Sequence, residues 1–183
     1  IESQLRHIYA QIVWSHKIQE KQADIYRKRQ NCCEVMRIVT SSLTSSGIIA
    51  SILVDSELVK IITAIISFIT LFINSYLKSY DLATLASEHK NSALELLDLR
   101  NRLSSTLTDI KIDDLQLEDI KEIRDGYINE IEGVYKNCRD ASNKAVEKAR
   151  ISLTKIQDNT FSDEEINSYL PLYTRKEETD ESK

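Results

Sequence analysis

Two uncharged stretches of 17 residues each, Ile38–Val54 and Ile61–Leu77, constrain the fold of this chain more than any other feature. A helix of 17 residues rises about 26 Å, which approaches the roughly 30 Å of a bilayer's hydrocarbon core. Only six residues separate the two stretches, so the connection must be a tight turn. The sequence therefore predicts a transmembrane hairpin, with a first span over residues 37–55 and a second over residues 58–78.

The two stretches differ in hydropathy. The second contains six Ile, two Phe and two Leu, and it ends near Tyr76, where an interfacial aromatic residue is typical of a span. The first contains seven Ser or Thr and Gly47 beside nine apolar residues, so a helix buried in a water-soluble bundle is the alternative. Ser and Thr hydroxyls bond to the carbonyl one turn back, which lowers their cost in lipid. Because the connection is short, the first stretch spans if the second does, and we favour the paired insertion.

Flanking Lys and Arg residues predict the orientation of the hairpin. Six of them lie within 15 residues of its two outer ends, whereas the connecting segment has only Lys60, together with Asp55 and Glu57. Positively charged flanks stay in the cytoplasm. The sequence thus predicts a multi-pass membrane protein with both termini cytoplasmic and the acidic connection outside.

Polar side chains recur within each span at intervals of four, three and four residues, which places them on one helical face. Such stripes predict either a packing seam between helices or, in an assembly of hairpins, the wall of an aqueous path, because Asn74 facing lipid would be unsatisfied. In the second interpretation Asp55 and Glu57 form an acidic outer mouth that favours cations. The candidate pore-lining residues are Thr63, Ser67, Thr70 and Asn74 of the second span and Thr40, Thr44 and Ser51, beside Gly47, of the first.

The rest of the chain has the composition and periodicity of helices. One Pro and three Gly among 183 residues exclude sandwiches, barrels and Gly-rich nucleotide folds. Apolar residues recur at helical spacing over residues 1–36 and 79–108, and, after a predicted turn at 109–114, over 115–158. The predicted fold class is all-α: a membrane protein with a two-helix transmembrane hairpin and a long-helix cytoplasmic bundle.

The C-terminal residues form a minor element. Residues 1–157 are predicted to be a single unit, and residues 159–183 a short helix with an acidic tail. Ser162 and Glu165 have the spacing of a capping box, and Pro171 ends the helix. Residues 158–183 together carry a charge of −5, which equals the net charge of the whole chain. Because no basic stripe accompanies it, we expect no direct binding of nucleic acid.

No pattern of catalytic or ligating residues stands out. The chain lacks GxSxG, P-loop and HExxH motifs, so we expect no enzyme, no cofactor and no metal. An odd number of cysteines, two of them adjacent, suits neither a disulfide framework nor a zinc site, and we expect buried, reduced thiols. The histidines are far apart in sequence and are expected to be half-buried helix residues. These residues are Cys32, Cys33, Cys138, His7, His16 and His89.

The N-terminal helix, taken together with the hairpin, carries a resemblance. Residues 14–26, WSHKIQEKQADIY, lie just upstream of two close spans, and a long helical region follows them. Over residues 5–155 this arrangement resembles the SLATT domains, two-transmembrane effectors associated with SMODS nucleotidyltransferases and SLOG sensors in bacterial conflict systems. The positions that match this N-terminal pattern are Trp14, His16, Lys17, Glu20 and Ala23, and the helix through Tyr26 is expected to couple the bundle to the hairpin.

The resemblance implies a pore-forming effector of the bacterial inner membrane, used in anti-phage defence by abortive infection. It further implies a homo-oligomer that permeabilises or depolarises the membrane when a co-encoded partner signals. That partner is a sensor, a nucleotidyltransferase, or a reverse transcriptase with its non-coding RNA. Two other classes remain open: a membrane-anchored helical adaptor or scaffold without pore activity, and a fully water-soluble helical scaffold.

Overall fold

The computed structural model describes residues 2–112, 117–158 and 162–171, and all regular structure in those residues is helical. The all-α prediction is therefore confirmed. The chain divides into two compact units, Ile1–Ala149 and Arg150–Lys183. The helices are α1 (Glu2–Leu53), α2 (Glu57–Tyr80), α3 (Leu82–Lys111), α4 (Leu117–Asn137), α5 (Asn143–Thr154) and α6 (Asp163–Tyr169).

α1 is a single helix of 52 residues that contains both the predicted N-terminal helix and the first predicted span. At 1.5 Å per residue it is about 78 Å long. No Pro lies within it, and its only Gly is Gly47, so nothing in the sequence interrupts the backbone hydrogen bonds near residue 36. The N-terminal segment and the first span are thus one continuous rod.

α1 and α2 form the hairpin, joined by a tight turn in which the Ser56 N–H donates to the Val54 carbonyl at 2.8 Å. Both α1 and α2 are long and apolar enough to cross a membrane, and only 6% and 11% of their most apolar windows are buried. No described segment covers this surface as a water-soluble bundle would. Outward side chains that are more than half exposed include Ile38, Ile49 and Leu53 of α1 and Ile61, Phe68 and Phe72 of α2.

Serines on the outward face of α1 satisfy their own hydroxyls. Ser42, Ser45 and Ser46 are exposed and donate to the carbonyls four residues earlier, at 2.9, 3.1 and 3.0 Å. A hydroxyl bonded in this way presents little unmet polarity to lipid. The high Ser content of the first span is therefore compatible with insertion.

Asp81 joins the second span to the bundle. Its φ of 35° and ψ of 59° lie in the left-handed region, which Asp tolerates better than most residues because its short polar side chain bonds locally. The Asp81 carboxylate accepts the Thr84 N–H at 3.2 Å and so caps the start of α3. α2 ends and α3 begins at this one residue.

The first part of α1 packs with α3 and α4 as a three-helix bundle. The predicted apolar stripes of these helices are the buried ones, with α3 running antiparallel to α1. Burial of each large apolar side chain stabilises the bundle by about 1.5–3 kcal/mol in water, a contribution that lipid-facing positions of the hairpin lack. The core consists of Leu5, Ile8 and Ile12 of α1, Leu96, Leu99 and Leu103 of α3, and Tyr127 and Ile131 of α4.

The prediction of one helix over residues 115–158 is wrong, because the chain leaves the helix after Asn137 and re-enters it at Asn143. The inward positions nevertheless keep their burial across the break, since Ala145 and Ala149 are fully buried. Hydrogen bonds from α1 hold the broken segment, as described below. α3 also continues to Lys111, three residues past its predicted end, and the rest of the predicted turn at 109–114 lies partly outside the described residues.

The second unit contains α6. The Ser162 hydroxyl accepts the Glu165 N–H at 3.2 Å, and the Glu165 carboxylate accepts the Ser162 N–H at 3.0 Å. This reciprocal pair confirms the predicted capping box. α6 ends at Tyr169, two residues before Pro171, and the predicted tail beyond that proline lies outside the described residues.

Candidate functional site

The two polar stripes of the hairpin face each other across α1 and α2. Thr40, Thr44, Gly47 and Ser51 are half-buried, and so are Thr63, Ser67 and Thr70 on the opposite helix, whereas their outward neighbours are exposed. Gly47 marks the closest approach: a Cβ added there would lie 2.3 Å from Thr63 Oγ1. Within one chain the stripes thus form a helix–helix seam, with small residues that allow the backbones to approach.

Most hydroxyls in the seam bond to their own helix. Thr40 donates to the Met36 carbonyl at 2.9 Å, Thr63 to Val59 at 2.8 Å and Thr70 to Ile66 at 2.9 Å, and Ser51 donates to Ile48 at 2.8 Å. Thr44 Oγ1 is buried and has no hydrogen-bond partner among the described residues. The seam is therefore held by close packing and not by hydrogen bonds between the two helices.

Asn74 does not share this environment. It is exposed, in contrast to the other three members of its stripe. It lines an open cleft of about 320 Å³ at the bundle end of the hairpin, with Arg37, Lys78 and Asp81. Arg37 forms an ion pair with Glu34 in the same cleft. Because Arg37 and Asn74 line the same cleft, the charged end of the first span lies beside the last turns of the second.

At the other end of the hairpin, Asp55 and Glu57 are both exposed. Asp55 pairs with Lys60 at 2.5 Å, and this pair neutralises the only base of the connection. Glu57 begins α2, where its carboxylate interacts favourably with the helix N-terminus. The turn therefore presents one net negative charge per chain.

Four of the matched N-terminal positions are in the interior of the bundle or at its edge. His16, Lys17 and Ala23 are buried, and Glu20 is half-buried. His16 Nδ1 contacts the Ala93 carbonyl at 2.8 Å, which ties α1 to α3. The buried Lys17 ammonium donates to Glu20 at 2.7 Å, so its charge is paired on the same helix.

Trp14 and Tyr26 are half-buried at the two ends of this stretch. The Tyr26 ring stacks on the buried ring of His89, with centroids 5.5 Å apart. Beside Trp14, the hydroxyls of Ser15 and Tyr135 are 2.8 Å apart and link α1 to α4. The stretch thus contacts both other helices of the bundle.

The protonation of these interior groups follows from burial and charge. Burial lowers the pKa of His16, although its hydrogen bond to Ala93 opposes part of that effect. Burial also lowers the pKa of His89, and the positive charge of Arg139 adds to it. For Glu20, burial acts to raise the pKa, but the hydrogen bond and charge of Lys17 outweigh it and the pKa falls. Neutral histidines beside a paired Lys17–Glu20 are the favoured state of the bundle.

Two further residues of the same stretch, Gln19 and Gln22, contact the break between α4 and α5. Gln19 Nε2 donates to the Arg139 carbonyl at 3.3 Å, and Gln19 Oε1 accepts from His89 Nδ1. Gln22 Oε1 accepts both the N–H and the hydroxyl of Ser142, at 2.9 and 2.7 Å. The sequence patterns identified neither residue, because the partners of these side chains lie in a break more than 100 residues away.

Several expectations about single residues were wrong. Cys32 is exposed and Cys33 is only partly buried on α1, and Cys138 is partly buried in the break between α4 and α5. His7 is exposed, whereas His16 and His89 are buried instead of half-buried. The described residues contain no group of three or more His, Cys, Asp or Glu side chains that could hold a metal ion.

The family model described as SMODS and SLOG-associating 2TM effector domain family 4 matches residues 1–165. No curated protein and no solved structure matches the chain.

Proposed function

Because the chain belongs to family 4 of the SMODS and SLOG-associating 2TM effector domains, a family whose effectors have a role in conflict and anti-phage systems, we propose that it permeabilises or depolarises the bacterial inner membrane. In this proposal the hairpin spans that membrane, both termini are cytoplasmic, and a homo-oligomer is the active form. Activation comes from a co-encoded sensor, nucleotidyltransferase, or reverse transcriptase with its non-coding RNA. The protein acts without catalysis.

One observation carries the proposal: the polar stripes, except Asn74, lie in the α1–α2 seam, while the outer surface of the hairpin is mostly apolar. A hairpin in this state offers lipid a compatible surface and offers ions no path. Conduction requires the seam to open or to rearrange between subunits, so that polar side chains meet water. The hairpin geometry accordingly supports a closed, resting state of the proposed effector.

The charge at the two ends of the hairpin supports the same proposal. The acidic turn, with Glu57 unbalanced by a base, favours cations at the outer mouth of an oligomer. At the bundle end, the cleft lined by Arg37, Asn74 and Lys78 gives water access to the last turn of the second span. Asn74 is thus the stripe residue placed first in a path that opens from the cytoplasm.

The test measures membrane potential with a voltage-sensitive dye in cells that express the chain with its co-encoded partners. We expect depolarisation of the wild type, and we expect Thr70→Leu with Asn74→Leu to reduce it at least tenfold without lowering membrane abundance. Ser75→Leu is the matched control, because Ser75 is an exposed polar residue on the same helix. Equal depolarisation by the double variant would remove Thr70 and Asn74 from the path, and unchanged polarisation in growth-arrested wild-type cells would contradict pore activity.

A membrane-anchored adaptor is the second candidate. It is favoured by the close fit at Gly47 and Thr63, since a seam built only for packing needs no further role. In that case an unrelated two-span anchor in place of residues 37–78 preserves the defence phenotype. A pore requires this hairpin, so loss of the phenotype in the exchanged protein, with the bundle still folded, favours the effector.

A further inference from the structure

The break between α4 and α5 exposes backbone groups that a continuous helix would have paired. The Cys138 N–H still donates to the Val134 carbonyl at 2.9 Å, but residues 138–142 belong to neither helix, and no Gly or Pro explains the interruption. Ser142 caps α5, since its hydroxyl accepts the Ala145 N–H at 3.3 Å. Arg139, Asp140 and Ser142 are exposed, so the remaining groups of the segment can pair with water or with side chains of other helices.

α1 supplies those partners through two side chains. Gln22 is 2% exposed and accepts from both donors of Ser142, and Gln19 donates to the Arg139 carbonyl. A third contact comes from α3, where Glu88 forms an ion pair with the Arg139 guanidinium. The segment of residues 138–142, which we call the break segment, is thus bound to the bundle by named polar contacts on two helices.

The helix that carries both glutamines enters the hairpin without interruption. Gln22 is 16 residues before Ile38 on the same 52-residue helix, a distance of about 24 Å along its axis. A continuous helix of this length transmits a rotation or shift of one end to the other. Release of the break segment would therefore free the part of α1 that leads directly to the polar seam.

We propose that Gln19 and Gln22 are positioning residues. Their hydrogen bonds to Arg139 and Ser142, which we call the clasp, hold the break segment against α1 and keep the hairpin in its closed arrangement. This proposal rests on the proposed function, because the closed state has meaning only for an effector that opens. Activation is then the loss of these contacts, after which α1 moves relative to α3 and the seam at Gly47 separates.

The first test releases the clasp. Gln22→Leu keeps the size of the side chain and removes the acceptor of Ser142, and Asn31→Leu, at an exposed position on the same helix beyond the clasp, is the control. We expect amide exchange of Ser142 in the purified, detergent-solubilised protein to accelerate roughly tenfold only in Gln22→Leu. In cells lacking the co-encoded partners, we expect Gln22→Leu to depolarise the membrane and Asn31→Leu and the wild type not to.

The second test fastens the clasp and covers the possibility that Gln22→Leu fails to fold. Cysteines replace Gln22 and Ser142 in a chain with Cys32→Ser, Cys33→Ser and Cys138→Ser. With the partners present, we expect the oxidised protein to leave the membrane polarised and the reductant to restore depolarisation, while each single-cysteine protein responds as the wild type does.

The two failures are distinguishable. If the oxidised, cross-linked protein depolarises as fully as the reduced one, the clasp does not control opening and the proposal is overturned while the effector function stands. The same holds if Gln22→Leu accelerates exchange yet stays silent without partners. If wild-type chain with its partners never depolarises the membrane, the proposed function itself fails and the clasp proposal falls with it.

Discussion

The interior of the bundle disfavours the protonated forms of His16 and His89. Both are buried, and burial lowers the pKa of each below its ordinary value of 6.5. The neighbouring charged groups are Glu20, Arg100 and Lys17 for His16, and Arg139 and Glu88 for His89. Since Gln19 Oε1 accepts from His89 Nδ1, the protonation state of His89 is connected to the clasp.

This arrangement predicts a pH dependence of stability. A histidine with a lowered folded-state pKa binds fewer protons in the folded than in the unfolded state, so its contribution is present above about pH 6.5 and is lost as the pH falls below that value. We expect the thermal midpoint of the detergent-solubilised protein to decrease between pH 7.5 and pH 5. His89→Gln should flatten the curve. A midpoint that is constant or rises on acidification over that range would contradict the assignment. Because the pKa of Glu20 is lowered from 4.5, its effect belongs below this window.

Sequence patterns predicted the burial of some residues but not the contacts of others. The buried positions of α1 and α3 were predictable because apolar residues recur with the helical period, as at Leu5, Ile12 and Leu96. Gln19 and Gln22 were not, because their importance depends on a break in a distant helix. The cysteines were predicted to be buried because cysteine is usually buried in proteins. Cys32 is exposed instead.

The packing of α1 against α2 at the seam stabilises the hairpin. Its closeness depends on Gly47, whose missing side chain leaves the space that Thr63 occupies. In a bilayer this contact gains no hydrophobic driving force, so packing supplies most of its stability. A larger residue at Gly47 must push the helices apart.

We therefore expect Gly47→Leu to destabilise the hairpin by about 1–3 kcal/mol, the usual cost of overpacking. Gly126→Leu is the matched control, because a Cβ at Gly126 meets nothing within 4 Å, and it should be neutral or slightly stabilising. Thermal unfolding in detergent measures both. Equal thermal midpoints for the two variants would show that α1 and α2 are not packed as closely at Gly47 and Thr63 as the structure indicates.

Most of the helices could be predicted from the sequence. The hairpin follows from two uncharged stretches and a short connection, and α6 from its capping box. The α4–α5 break was not legible, because residues 138–142 contain no Gly or Pro and the inward period continues through them. Tertiary hydrogen bonds from α1 stabilise the break together with the Ser142 cap of α5.

At the scale of the molecule, one long helix connects the bundle core to the membrane. The core of α1, α3 and α4 supplies stability in water, the hairpin supplies an apolar surface for lipid, and the polar stretch between them binds the break segment. This order along α1 allows a change in the bundle to reach the seam without any intervening joint. The return path through α2 has such a joint at Asp81.

The role of Asp81 as the joint between α2 and α3 can be tested with two substitutions. Asp81→Asn keeps a short side chain that tolerates the left-handed conformation and caps α3, whereas Asp81→Val loses both features. We expect Asp81→Val to lower the thermal midpoint and Asp81→Asn to leave it nearly unchanged. If the two variants unfold at the same temperature, the joint is not maintained by this side chain.

The proposed function requires residues 38–77 to cross the membrane as a hairpin, and cysteine labelling in spheroplasts tests this topology. In a chain with its three native cysteines replaced by serine, we predict that a membrane-impermeant maleimide labels Ser56→Cys without lysis. The same reagent should label Gln30→Cys and Asn143→Cys only after lysis. Labelling of all three positions only after lysis, together with recovery of the protein in the detergent-free soluble fraction, would contradict the account.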